Sequence, residues 1–141
     1  MPDVAAYDPA ERARTIAAVV RQLTAALATR DAATIESLLT DDVVYHFPGD
    51  NPLAGTYRGR EAVMGFFRAF RAHLDAPPEN DTHDVLSSEA HGSDLSTVSA
   101  SRGTRRHAWR VVRIYHFTDD RISEIFVTVD DQAALDAFLN S

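Results

Sequence analysis

The second half of the chain is a run of extended segments with little but turn material between them, and this limits what it can fold into. Thr82–Glu89, Leu95–Ser101, Arg106–Phe117 and Ile122–Val129 read as strands, the last two rich in β-branched and aromatic residues. His91-Gly92-Ser93-Asp94, Arg102-Gly103-Thr104 and Thr118-Asp119-Asp120 punctuate them. Strands joined this closely form an antiparallel sheet, whose apolar face needs a cover.

The cover lies upstream. Asp8-Pro9-Ala10-Glu11 reads as a helix start, with an Asp cap and Pro at the first helical position, and Ile16, Val19, Val20, Leu23 and Leu27 follow as one apolar stripe. After Arg30-Asp31 a short helix carries Ile35, Leu38 and Leu39, and Asp41-Asp42 ends it. Val43–Phe47 reads as a strand, stopped by Pro48-Gly49 and a loop through Pro52 and Gly55. A third helix begins near Gly59, carries Val63, Phe66, Phe67, Phe70 and Leu74, and closes at Pro77-Pro78. A last short helix, capped by Asp131 or its neighbour, holds Leu135, Phe138 and Leu139.

The predicted class is α+β: three N-terminal helices bury their stripes against one curved antiparallel sheet, with a short C-terminal helix. The 141 residues suit one domain, 1–141. The absence of cysteine excludes disulfides, thiolate metal sites and cysteine nucleophiles, and fits a reducing, cytoplasmic location. The start shows no basic region followed by an apolar stretch, so no signal peptide is expected. No apolar run approaches the ~18 residues of a membrane span. A net charge of −7 opposes general affinity for nucleic acid or anionic membrane.

This element order, together with Tyr45-His46-Phe47-Pro48-Gly49-Asp50-Asn51-Pro52-Leu53-Ala54-Gly55-Thr56-Tyr57-Arg58-Gly59, resembles the SnoaL-like and ketosteroid-isomerase-like proteins of the nuclear-transport-factor-2-like superfamily. His83-Asp84-Val85-Leu86, the Asp120–Glu124 hairpin and Asp131-Gln132 add to the likeness. The resemblance implies a cone-shaped α+β barrel enclosing a pocket. It implies no single function, because that superfamily hosts isomerases, cyclases, epoxide hydrolases and proteins without known catalysis.

Several of those mechanisms lack their residues here. By the resemblance, the isomerase general base falls on Phe47, its tyrosine on Leu23 and its second Asp near Arg113; a phenyl ring takes no proton and Leu donates no hydrogen bond. The epoxide-hydrolase positions fall on Tyr45, Ser99, Ser101 and Val127, and of these only Tyr45 is retained. The cyclase acid/base again falls near Val127.

Alternation divides the long strand into Trp109, Val111, Arg113, Tyr115 and Phe117 on one face and Arg110, Val112, Ile114 and His116 on the other. The resemblance assigns the first set, with Ile125, Val127 and Val129, to the concave side. The expected ligand contacts are then Tyr45, Phe47, Phe67, Trp109, Tyr115 and Val127, with Ser99 a further polar group. The expected catalytic groups are Arg113, Asp131 and His46.

Each has a plainer explanation. A buried guanidinium must pair, here with Asp131 or Glu89, or emerge at the sheet edge, or grip an anionic ligand. The tyrosines serve as packing residues or as donors to a carbonyl. His46 has the pKa for acid/base work, but strict alternation turns it away from Tyr45 and Phe47 unless a bulge intervenes. Asp131 caps the last helix or orients a base.

The six histidines show no tight ligand spacing, so no metal and no cofactor is expected. Arg102, Arg105, Arg106 and Arg110 read as a solvated hairpin cluster rather than a nucleic-acid patch. Ile122, Phe126, Val112 and Ile114 are expected on the convex face. An apolar patch there, through which the resembling proteins often pair, implies a homodimer.

Two functions stay open. One is an enzyme acting on a small, mostly apolar or weakly anionic carbonyl compound as cyclase, isomerase or hydratase, by oxyanion stabilisation. The other is a non-catalytic ligand-binding or interaction domain.

Overall fold

The computed structural model describes residues 6–141; the reading of the extreme N-terminus falls in part outside them. Helix α1 (Pro9–Thr29) starts as its signals dictate, with Asp8 accepting from the Ala10 amide at 3.0 Å and Pro9 in the first position. Its Ile16, Val20 and Leu23 are buried. The chain reverses at Arg30, whose φ of 56° is left-handed, and Asp31 caps α2 (Ala32–Leu38) through the Thr34 amide.

Strand β1 (Leu39–Phe47) follows with no break at Asp41-Asp42. Those exposed residues sit where its pairing slips, between Leu39 and Val44. A two-carboxylate step looks like a terminator in sequence, but solvent on one side of a bulge accommodates it.

The segment Gly55–Arg58, expected as loop, is a short strand, β2, paired antiparallel to β1 from Val44↔Arg58 to Phe47↔Gly55. Four mostly exposed residues carry no apolar alternation for a sequence reading to detect. Then come α3 (Arg60–Ala72), β3 (Glu79–Ser87), β4 (His91–Arg102), β5 (Arg105–Thr118), β6 (Arg121–Val129) and α4 (Gln132–Leu139).

The six strands form one open sheet in the order β2-β1-β6-β5-β4-β3. It is mixed rather than wholly antiparallel, because β1 and β6 run parallel. These two strands are far apart in sequence, so no hairpin dictates their direction; α3 and the β3–β5 meander carry the chain between them. The barrel is therefore not closed, and β2 and β3 are its edges.

Two tight turns work as expected. Gly103 (φ 60°) and Asp119 (φ 54°) supply the left-handed conformations that the two-residue β4–β5 and β5–β6 connections require. The β3–β4 turn lies elsewhere. His91-Gly92-Ser93-Asp94, expected as the turn, is strand, paired with His116 through Arg113. The chain turns at Ser88–Ala90 instead, where Ser88 Oγ accepts from the Ala90 and His91 amides.

Gly92 is required there by close approach. A Cβ at this position would lie 2.8 Å from Val20 Cγ2 and 2.9 Å from Ile16 Cγ2 on α1. Gly92→Ala is expected to destabilise the protein by about 1–3 kcal/mol through overpacking, read by chemical denaturation; a neutral result would mean that α1 yields freely at this contact.

A bulge between His116 and Phe117, opposite Ile122 and Glu124, changes the phase of the β5–β6 pair. Ile122, expected on the convex face, is consequently fully buried, whereas Val112 and Ile114 are exposed there as alternation predicts.

Arg102 is not part of a solvated hairpin cluster. Its guanidinium donates to the carbonyls of His73, Phe138 and Leu139 at 2.9–3.0 Å, tying the end of α3 to the end of α4.

Candidate functional site

A cavity of about 570 Å³ lies between the sheet and the helices. Two features of the chain create it. The residues of β1, β5 and β6 that line it alternate along Tyr45–Phe47, Trp109–Tyr115 and Ile125–Val127, and α3 presents three phenylalanines at helical spacing. Tyr45, Phe47, Phe67, Trp109, Tyr115 and Val127, the six expected ligand contacts, all line it. The aromatic side chains form one network: Phe66 sits 4.5 Å from the Tyr45 ring and 5.1 Å from that of Phe47, and Phe67 meets Tyr45 edge-on at 5.5 Å.

At one end the lining turns polar. Asp94 is fully buried and accepts three hydrogen bonds: from Tyr115 Oη at 2.5 Å, Arg113 Nη1 at 2.7 Å and Ser96 Oγ at 2.6 Å. Arg113 also donates through Nη2 to Asn80 Oδ1 at 3.0 Å. Asp94 and Arg113 are directly opposite each other on β4 and β5, so sheet register brings the charges together. Sequence reading paired Arg113 with Asp131 or Glu89. The structure pairs it with Asp94, which a Gly-Ser-Asp string had disguised as turn. The usable signal was the inward phase of Asp94, Ser96, Val98 and Ala100, continued one step upstream.

Burial pushes the Tyr45 hydroxyl up to about 12, with the Arg113 guanidinium opposing the rise. Burial likewise drives Tyr115 well above the ordinary tyrosine value, and Asp94 reinforces it. Burial works against the charge on Arg113, but neighbouring Tyr115, Asp94 and Tyr45 hold its pKa above the usual arginine value. At neutral pH the floor thus presents two neutral phenols and a cation. Tyr115 spends its proton on Asp94. The Tyr45 hydroxyl, 6% exposed as a residue, has no acceptor among the described residues.

The other two expected catalytic groups do not reach the cavity. His46 faces the convex side, as alternation required, with Nε2 2.7 Å from Glu124 Oε2 and its ring stacked on Phe126 at 4.4 Å. No bulge before Pro48 reverses it, because the β1–β2 register is regular from Val44 to Phe47. Asp131 caps α4, accepting from the Ala134 amide at 3.0 Å. Among the described residues the cavity wall therefore holds no imidazole. Its one carboxylate, Glu79, is 77% exposed and faces Arg106 at 3.3 Å. The arrangement can donate hydrogen bonds to an oxygen, from a neutral phenol and an ion-paired guanidinium; no free base stands opposite.

Among the described residues no three His, Asp or Glu side chains converge to hold a metal ion, and no helix is long and apolar enough to cross a membrane.

A family model described as SnoaL-like domain matches residues 20–125. No functionally curated protein matches the sequence. Among solved structures, Bal32a, from a soil-derived mobile gene cassette, is 25% identical with a TM-score of 0.88, the match covering 92% of this chain and 99% of Bal32a. An LEH-like epoxide hydrolase of M. tuberculosis gives 21% identity and a TM-score of 0.69, over 89% of this chain and 88% of its own. TerC, co-crystallised with polyporic acid, gives 17% and 0.78, over 90% and 99%.

Proposed function

Because the chain belongs to the SnoaL-like domain family, we propose that it binds a small, mostly apolar carbonyl-type molecule in the cavity between sheet and helices. The carbonyl oxygen would lie against the Tyr45 hydroxyl and the Arg113 guanidinium. The observation that carries this reading is the Tyr45 O–H: a nearly buried donor on an aromatic wall, beside a cation, with no acceptor among the described residues. The oxygen is not one of the wholly buried, unpartnered atoms, so it keeps some open surface, and a ligand oxygen in the cavity would accept from it. A cavity of about 570 Å³ lies within the range of small-molecule sites. That TerC, of the same fold, was crystallised with polyporic acid is compatible with such a ligand.

Binding is favoured over turnover. Isomerases, cyclases and hydratases move protons, and the wall offers oxyanion stabilisation without an accessible base. In this reading the polarised carbonyl is held rather than transformed.

The single tryptophan, Trp109, lies on the cavity wall and reports occupancy by its fluorescence. Acetylnaphthalene is expected to bind about five- to tenfold more tightly than ethylnaphthalene, in keeping with one hydrogen bond. Tyr45→Phe is expected to remove that preference. The preference should be flat across the neutral pH range, since Tyr45 titrates only near 12. Equal affinity for ketone and hydrocarbon in the wild type would defeat the proposal.

The exposed Val112 and Ile114 on the convex face suit a contact with a second copy of the chain, and the homodimer is proposed on that basis.

A further inference from the structure

The charges lining the cavity are not spread evenly, and their distribution bears on the ligand's other end. We infer that the ligand carries an anionic group, of the carboxylate, sulfonate or phosphate class, at the end facing the cavity mouth, where Arg30, Arg68 and Arg71 receive it. This rests on the binding role proposed above and narrows the ligand to an amphipathic anion whose neutral oxygen goes in first.

The floor is electrically closed. Arg113 is matched by Asp94 at 2.7 Å, so it offers directional hydrogen bonds without a net charge to spare. Uncompensated charge lies at the rim. Arg68 and Arg71 stand one turn apart on α3, and Arg30 is fixed by the left-handed end of α1; all three line the cavity. None makes an ion pair among the described residues, whereas Arg12, Arg60, Arg106 and Arg113 each face a carboxylate.

Arg71 is the most telling. It is half-buried, its Nε is buried without an acceptor, and its Nη1 reaches only the Leu74 carbonyl, at 3.4 Å. A part-desolvated guanidinium with spare donors is built to meet an anion. The lining's sole carboxylate, Glu79, leans towards Arg106 instead. The chain as a whole carries −7, so a cationic rim is opposite in sign to the rest of the molecule. A field of that shape steers small anions to the mouth.

The test uses two probes with one aromatic skeleton, anilinonaphthalene sulfonate and its uncharged counterpart phenylnaphthylamine, titrated against Trp109 fluorescence in the full chain. The sulfonate is expected to bind about tenfold more tightly at about 0.02 M salt, falling towards parity near about 0.5 M as the rim charges are screened. Arg68→Gln/Arg71→Gln is expected to lower the sulfonate-to-amine affinity ratio at least fivefold, an estimate of roughly two lost charge contacts.

Equal binding of the two probes at low salt, or a ratio untouched by salt, would overturn the inference and leave the cavity reading standing. A sulfonate preference that survives the double variant but disappears in Tyr45→Phe would place the anion at the floor, and would also overturn it. If neither probe binds, the cavity reading fails, and this inference with it. The salt series needs no variant, so misfolding of the double substitution does not shield the proposal.

Discussion

Replacing Asp94 by alanine is expected to lower the stability of the protein by about 3–5 kcal/mol, the range seen when one partner of a buried ion pair is removed. The carboxylate is wholly buried and is the shared acceptor of Arg113, Tyr115 and Ser96. Its loss strands a guanidinium whose side chain is 16% exposed and two hydroxyls. Asp94→Asn should do less damage, since the amide oxygen still accepts from one donor. Combining Asp94→Ala with Arg113→Met should recover much of the loss, because the stranded charge is then gone. Chemical denaturation of the wild type, Asp94→Ala, Arg113→Met and the double variant gives the coupling energy. A single-variant loss under about 1 kcal/mol would show that water reaches Arg113 and that the floor is not closed.

The second large effect is expected at a residue that does not line the cavity. Arg102→Ala should destabilise by roughly 3 kcal/mol, from the charge-assisted bonds it makes to the His73, Phe138 and Leu139 carbonyls. Those carbonyls belong to helix ends, which lack intrahelical partners and need an outside donor. His73 Nε2, 2.7 Å from the Leu139 carbonyl, leaves that oxygen partly satisfied, so the loss is shared rather than complete. Arg102→Lys should recover little, because an ammonium group cannot span three carbonyls on two helices. Hydrogen exchange should show α4 opening first in the variant; uniform loss of protection would mean that Arg102 does not serve as a clamp on that helix.

The two substitutions separate support from function. Asp94→Ala is expected to disturb the ketone preference as well as stability, because it frees Arg113 beside Tyr45. Arg102→Ala is expected to act on stability through α4, which reaches the site only indirectly. Asp136, on the same helix, accepts from Asn51 at 2.8 Å and from the Asp50 amide at 3.0 Å; the Asn51 bond leads in holding its carboxyl below the ordinary range. The loop after Phe47 is thus anchored to the helix that Arg102 secures.

What the amino-acid order determined by itself was everything that rests on local periodicity. The apolar stripes of α1 and α3, the Asp caps at residues 8 and 131, and the alternation that sets Trp109, Val111, Arg113 and Tyr115 on one face and turns His46 away from Tyr45 and Phe47 all depend on backbone geometry within one element. With the concave face taken from the family resemblance, that sufficed to name six side chains that share one cavity. Tertiary structure alone decided whatever depends on which strands meet and in what register. The parallel β1–β6 pair, the bulge that buried Ile122, the β2 edge, and the conversion of Gly92-Ser93-Asp94 from turn to strand all needed partners distant in sequence. The Asp94–Arg113 pair shows why. Asp has a local preference for turns through its own backbone, and only a guanidinium, a phenol and a hydroxyl delivered by neighbouring positions outweigh it. Such a balance is set by contacts across the sheet, which a pattern read along one chain segment does not contain.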